Sequence, residues 1–298
     1  MVFLLAVPPW ILIVSQELQI TNKLNPWPKD WGRKTSIMGV INLTPDSFSD
    51  GGDLNSRAKV LNQVNDFISN GVDIIDLGAQ STRPGAKEIG SRYEIKRLIP
   101  YLKIIRAEFP EILISIDTFH SQVANEALLN GANWINDVTG GRRDEEILDI
   151  VSKFNCPFVI THSRGNSQNM NDLNHYTNFL SEVISSLENL IKKALQKKIS
   201  KENIILDPGI GFSKNLEQNL DVLKNLELFK KLNFPILIGA SRKRFIGDIL
   251  NEINPKERDI GTLAISCLCS QLNIDLVRVH NVKINYEILK VADKIYRK

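Results

Sequence analysis

From residue 36 onward the chain alternates short apolar runs with longer amphipathic stretches. The short runs lie at 37–42, 73–77, 113–117, 134–137, 158–162, 204–207, 236–239 and 276–280. Each is about five residues long, and several are near-continuous runs of β-branched residues or Leu. Parallel strands covered on both faces have this composition. Between them, 56–70, 92–108, 121–130, 144–154, 176–199, 216–232, 257–272 and 284–297 carry helical periodicity. Gly71, Gly131 and Asn233 stand just past three of these stretches, where a helix stop is wanted. Eight strand–helix units over about 260 residues are the repeat number and size of a (β/α)8 barrel. A doubly wound sheet can share the rhythm but rarely needs eight units with so few insertions. The expected fold is therefore α/β, a single-domain (β/α)8 TIM barrel over 36–298 with a short N-terminal extension.

The polar residues sharpen this expectation, because nearly every run ends in a side chain with chemical capacity. The first ends in Asn42 and the second leads to Ser81-Thr82-Arg83-Pro84-Gly85. The next three end in Asp117, in Asn136-Asp137, and in His162 with Arg164. The sixth gives Asp207, the seventh leads to Ser241-Arg242-Lys243, and the eighth carries Arg278 and His280. In a barrel these tips converge on one mouth, where active sites sit. The loop after the first run, from Thr44 through Asp46, Ser47, Phe48, Ser49 and Asp50 to Gly51 and Gly52, is rich in oxygen side chains. Such residues build no core, and a polar, glycine-ended loop just past a strand is where α/β proteins place chemistry.

The 298 residues are 43% apolar with a net charge of +3, enough for one large core and too weakly basic to argue for nucleic acid or membrane. Three cysteines, Cys156, Cys267 and Cys269, form neither a disulfide framework nor a tetrahedral metal site. Cys267 and Cys269 read as buried helix residues, and a reducing cytoplasm fits. Residues 1–14 are very apolar but broken by Pro8 and Pro9, and too short for a membrane-spanning helix. Residues 1–35 are read as an extension packing on the domain or a start set too far upstream. Within them, residues 25–28 are read as a linker.

The mouth joins two kinds of chemistry. Asp117, Asn136 and Asp207 suit a flat, nitrogen-rich heterocycle whose edge offers several donors in a plane. Arg83, Lys243, Arg278 and His280 suit a phosphate, which barrels hold around their last two strands. The glycines of Asp207-Pro208-Gly209-Ile210-Gly211-Phe212 permit close backbone approach to a ligand.

With these residues in view, the chain resembles the dihydropteroate synthase family over about 36–297. The resemblance rests on Asn-Leu-Thr-Pro-Asp-Ser-Phe-Ser-Asp-Gly-Gly (42–52), Ser-Thr-Arg-Pro-Gly (81–85), Ser-Ile-Asp-Thr (115–118) and Ile-Asn-Asp-Val-Thr-Gly-Gly (135–141). It continues through Asp-Pro-Gly-Ile-Gly-Phe (207–212), Ser-Arg-Lys (241–243) and Arg-Val-His (278–280). It implies a folate-pathway transferase joining 4-aminobenzoate to 6-hydroxymethyl-7,8-dihydropterin diphosphate. By the same resemblance Asp117, Asn136, Asp207 and Lys243 bind the pterin, while Asn42, Arg278 and His280 hold the diphosphate. Asn42 is the implied Mg²⁺ ligand, with Asp46 and Asp50 as weaker candidates. Thr82, Arg83, Pro84, Phe212, Ser241 and Lys243 form the 4-aminobenzoate pocket, where sulfonamides compete. Lys243, Arg278, His280 and Asp117 are the implied catalytic set, loops 43–52 and 81–90 close over the substrates, and a homodimer is expected.

Three departures stand out. The family's Gly-Glu before Ser-Thr-Arg-Pro is Ala79-Gln80 here, its Met-His-Met is Thr161-His162-Ser163, and its Arg-Val-His-Asp ends in Asn281. Pterin-binding methyltransferase domains that use a methylated folate share the Asp/Asn set but have no use for Ser-Thr-Arg-Pro-Gly or Arg-x-His. A catalytically silent pterin-binding paralogue would be expected to lose Lys243, Arg278 or the first loop, and all are intact.

Overall fold

A computed structural model of the chain describes residues 25–43, 52–80 and 85–297, with the side chains of all but 52–55. In chain order the elements are β1 (Ser36–Asn42), α1 (Gly52–Ser69), β2 (Ile74–Gly78), α2 (Ser91–Glu108), β3 (Leu113–Asp117) and α3 (Ser121–Leu129). β4 (Trp134–Asp137), α4 (Glu146–Phe154), β5 (Phe158–Thr161), α5 (Phe179–Gln196), β6 (Ile204–Asp207), α6 (Leu216–Lys224) and α7 (Leu226–Lys230) follow. The last are β7 (Leu237–Ile238), α8 (Arg244–Leu250), α9 (Asp259–Gln271), β8 (Leu276–Val279) and α10 (Val282–Tyr296). The strands form one sheet in the order β6-β5-β4-β3-β2-β1-β8-β7 with every pair parallel. A bridge between Leu206 and Ile236 joins β6 to β7, so the sheet closes into the expected (β/α)8 barrel.

Two helical details differ from expectation. The stretch 216–232 breaks at Asn225 into α6 and α7. The seven-residue α8 was not anticipated, because it is shorter than the window over which helical periodicity can be recognised and it contains Gly247. Cys269 is fully buried on α9 as expected, whereas Cys267 is only half-buried.

Strand alternation decides what the barrel encloses. Met38, Ile74, Leu113, Trp134, Val159, Ile205, Leu237 and Leu276, one from each strand, form a separate apolar cluster inside the barrel. Their chain neighbours, such as Ile75, Ile114, Ile135, Phe158, Ile204 and Val277, belong instead to the larger core beneath the helices. Two residues further along each strand, the interior positions are Val40, Asp76, Ser115, Asn136, Thr161, Asp207, Gly239 and Arg278. A single apolar layer thus floors the barrel, and a polar layer stands directly on it.

The N-terminal segment seals that floor from outside. Trp27 and Trp31 pack against the inner cluster, with ring centroids 5.0 and 5.8 Å from that of Trp134. The Trp134 indole N–H donates to the Pro26 carbonyl. Residues 25–28, expected to be a linker, are therefore packed chain. Lys34 Nζ reaches Asp73 at 2.7 Å, and Thr35 donates to the Asp293 carboxylate through both N and Oγ1, at 2.8 and 2.9 Å.

Removing a fully buried tryptophan costs about 3–5 kcal/mol. Trp134→Ala is expected to lower the unfolding free energy by about that much in urea titrations. A loss below about 1 kcal/mol would mean that this layer does not close the barrel.

Candidate active site

The polar layer must satisfy its own charges, since buried polar groups without partners are costly. Arg278, from β8, does most of this. Its Nε donates to Asp76 Oδ2 at 2.6 Å and its Nη2 to Asp117 Oδ2 at 2.7 Å. Asn136 Nδ2 adds a 3.2 Å bond to the same Asp76 oxygen. Strands β2, β3, β4 and β8 therefore meet in one network. Burial pushes the Asp117 carboxyl up to about 7, with Arg278 pulling it down and Asp76 pushing it further up. Burial also works against the Arg278 charge, but Asp76 and Asp117 outweigh it and hold the proton more tightly than usual. Asp76 was not singled out from the sequence. It stands two residues past Ile74, so counting by two along β2 would have placed it inside.

The β6 tip builds the second part. Asp207 Oδ1 accepts from the Gly209 N–H at 2.7 Å, and burial raises its carboxyl pKa. Lys243 donates to the Ile210 carbonyl, and its Nζ lies 4.3 Å from the centre of the Phe212 ring. Burial brings the Lys243 pKa down to about 8 against the opposing pull of Asp207. Gly211 has φ +76°, and a Cβ there would come within 2.7 Å of Lys243 Cδ, so this turn requires glycine. Gly209 is equally constrained, because a Cβ would overlap the His162 carbonyl oxygen.

Lys214, absent from the sequence-based site, fastens this turn. Its Nζ contacts Gly209 O at 3.0 Å, Phe212 O at 3.2 Å and His162 Nδ1 at 2.9 Å, and burial pulls its pKa well below the usual lysine value. His162 does not enter the mouth. It faces away from the interior, and burial next to Lys214 pushes its pKa down to about 2, which keeps the ring neutral. Arg164 likewise turns aside, 3.7 Å over the Tyr176 ring and paired with Glu182 at 2.8 Å.

Asp137 is also structural. Next to the inward Asn136 it points outward, accepting from Thr139 N, Thr139 Oγ1 and Gly141 N at 2.7, 2.8 and 2.6 Å. Ser241 and His280 meet at the last two tips, with His280 N and Nδ1 at 3.2 and 3.0 Å from Ser241 Oγ. Asn42 is half-buried at the end of β1.

Two of the departures have visible partners. Gln80 Nε2 donates to Lys87 O at 3.3 Å while its Oε1 accepts from Ile89 N at 2.7 Å; a carboxylate could accept there but not donate. The same limb, 85–89, is tied to neighbouring loops by the Arg143–Glu88 pair and by Ser167 Oγ on Ala86 O at 2.7 Å. Ser163 donates to Val138 O at 2.6 Å and lines a cleft together with Met170, Phe119 and Phe212. Met170 thus brings a thioether to the cleft from another position. Thr82, Arg83, Pro84, Asp46 and Asp50 lie outside the described residues. Among the described residues no three His, Cys, Asp or Glu side chains cluster as metal ligands.

A family profile described as pterin binding enzyme matches residues 38–280. The dihydropteroate synthase of Synechocystis is 43% identical over 268 residues, covering 90% of this chain and 92% of its own length. A Clostridium difficile dihydropteroate synthase, solved in the presence of pteroic acid, superposes with a TM-score of 0.85 at 41% identity, over 90% of this chain and 99% of that one. The Xanthomonas albilineans dihydropteroate synthase with 4-aminobenzoic acid gives 0.83 at 34% identity, over 89% and 94%.

Behind the β3 tip, Glu94 of α2 is buried with its carboxylate 3.8 Å from His120 Nε2, and burial raises its pKa to about 8. Because the folded value lies above the unfolded one, the stability it contributes is full below about pH 4.5 and is lost as pH climbs toward 8. Glu94→Gln is therefore expected to gain stability relative to wild type across that window, by on the order of a few kcal/mol. Denaturant titrations of both proteins at pH 5 and pH 8 measure it, and a pH-independent difference would contradict it.

Proposed function

The chain belongs to the pterin-binding enzyme family, and we propose that it acts as a dihydropteroate synthase, condensing 6-hydroxymethyl-7,8-dihydropterin diphosphate with 4-aminobenzoate and releasing diphosphate. The observation that carries this reading is the enclosed set Asp117, Asn136, Asp207 and Lys243 beside Arg278. A pterin presents a planar edge of N–H donors and ring acceptors. Two carboxyls with raised pKa values can receive those donors, while the Asn136 amide and the Lys243 ammonium supply complementary bonds. The heterocycle is held deep, and its CH2–O–diphosphate arm points toward the rim.

His280 and Asn42 at the rim take the diphosphate together with Arg278, whose guanidinium reaches up from its pairs with Asp76 and Asp117. The C–O bond breaks ahead of, or together with, attack by the arylamine, leaving positive charge that the pterin ring nitrogens share. Arg278 and His280 stabilise the negative charge gathering on the departing oxygen. Asn42 offers a neutral oxygen for Mg²⁺, with Asp46 and Asp50 nearby in sequence. This donor set suits an ion that usually keeps few protein ligands and shares substrate phosphates. When bound, Mg²⁺ would neutralise diphosphate charge. Phe212, Ser241 and Lys243, with Thr82, Arg83 and Pro84, hold 4-aminobenzoate. No protein nucleophile is needed, and Cys156 and Cys269 are unsuited to be one, since burial raises both thiols to about 12.

No helix among the described residues is long and apolar enough to cross a membrane, and a cytoplasmic location is our reading. We further read the protein as a homodimer through residues 265–272, at the C-terminal end of α9, and the last helix, α10, which exposes Val291 and Ile295. Light scattering behind a sizing column tests it, and a monomer at micromolar concentration would rule it out.

Incubating the purified protein with the pterin diphosphate, 4-aminobenzoate and Mg²⁺ should yield dihydropteroate and diphosphate in equal amounts. No product would refute the assignment. Asp117→Ala should weaken pterin binding by about 10- to 100-fold, as expected for losing a charged hydrogen-bond partner. Arg278→Ala should instead lower kcat by about 100-fold or more. Full activity in both variants would refute the assigned roles.

A further inference from the structure

The third departure, Asn281, lies beside an unusual turn. Arg242, between β7 and α8, has φ +58°, a left-handed conformation that non-glycine residues seldom adopt. It is held on every side by the start of α9. Its N–H donates to Thr262 Oγ1 at 3.2 Å, and its carbonyl accepts from Arg258 Nη1 at 3.2 Å. Its guanidinium makes a two-point pair with Asp259, at 2.6 and 2.7 Å. The same Asp259 carboxylate accepts from Asn281 Nδ2 at 2.9 Å. Asn281 in turn caps α10, its Oδ1 lying 3.5 Å from Ile284 N.

One carboxylate on α9 therefore joins the turn after β7 to the turn after β8. Ser241 and Lys243 flank Arg242 in the chain, His280 precedes Asn281, and Ser241 Oγ bridges to His280. Burial alone would raise the Asp259 pKa, but hydrogen bonds from Arg242 and Asn281 outweigh it and hold the carboxyl ionised below its ordinary value. The three groups form a balanced set of one cation, one anion and one amide that donates to the anion.

We propose that Asp259 is the positioning residue that sets Lys243 and His280 for the reaction, through its pair with Arg242 beside Lys243 and its bond from Asn281 beside His280. The proposal rests on the synthase reading for the roles of Lys243 and His280. Its physical content is one acid and one amide at two positions in contact across the fold. Asn281→Asp alone would crowd two carboxylates around one guanidinium, and like charges at that separation repel. Moving the acid, with Asn at 259 and Asp at 281, keeps one charge and one donating amide.

The experiment is a double-mutant cycle of Asp259→Asn, Asn281→Asp and both together, with kcat and KM for each substrate and melting temperature measured on every variant. Each single variant should lose about tenfold or more in kcat/KM for the pterin diphosphate, and the double variant should return to within about threefold of wild type. Rescue by relocating the acid is what a merely space-filling role would not produce. Singles as active as wild type, or a double no better than the weaker single, would overturn the proposal. Should wild-type protein make no dihydropteroate, the synthase reading has failed, and melting temperatures still decide this proposal. Lowered singles with a restored double would support the shared carboxylate, whereas four equal values would overturn it.

Discussion

The whole site depends on Arg278 lying between Asp76 and Asp117. Two carboxylates on neighbouring strands inside a barrel repel each other and are poorly solvated. Left without a cation, such a pair would cost several kcal/mol or give up its charge. One guanidinium, using two N–H groups in a fixed fork, holds both. The arrangement is also a poised one. Asp117 already has a donor, so a heterocycle that bonds to this carboxylate must share it with Arg278 or displace the guanidinium toward the rim. Asp76 would hold Arg278 through such a change, since its bond to Nε is separate from the Asp117 bond to Nη2. On the residue roles proposed above, pterin recognition and diphosphate handling are coupled through this one side chain.

A charged interior at this height leaves little room for a floor. Only one apolar residue per strand lies beneath the polar layer, where many barrels stack more. Trp134 is the largest of the eight, and Trp27 and Trp31 extend the layer outward. The N-terminal segment is thus part of the barrel's closure, pinned by Lys34–Asp73 and Thr35–Asp293. The depth of the site and the packing of residues 25–35 answer the same constraint.

Much of this could be read in the chain, and the failures share one cause. Asp117, Asp207, Lys243 and His280 are visible because each ends or follows a recognisable apolar run, and Asn136 and Arg278 because each stands beside a polar residue that ends its run. Asp76 has no such neighbour, being followed by Leu77 and Gly78, whereas His162 and Asp137 end their runs without facing the mouth. A tip says where along the barrel axis a residue sits, whereas the period of two says whether it faces in or out. Applying the phase of Ile74, Trp134 and Val159 separates Asp76 and Asn136 from Asp137 and His162. Lys214 left no comparable signal. Its importance comes from three acceptors, two carbonyls of one turn and a ring nitrogen from another strand, which only the folded chain assembles.

The departures from the family's pattern show how far a single replaced residue can be judged alone. Gln80 is an amide in an acid's position, yet it meets both a carbonyl and an N–H, so the neutral group satisfies partners that a carboxylate could not. Ser163 gives up a thioether, and Met170 lines the same cleft. Asn281 donates to the Asp259 carboxylate that pairs with Arg242. At Gln80 and at Asn281 each side-chain amide meets an acceptor at its nitrogen and a donor at its oxygen. Buried or half-buried polar groups impose this, because leaving one partner unmatched costs far more than changing which residue matches it. The chemistry of the mouth can therefore survive drift in its supporting residues, provided the compensating group lies within hydrogen-bond reach in the fold, however distant it is in sequence.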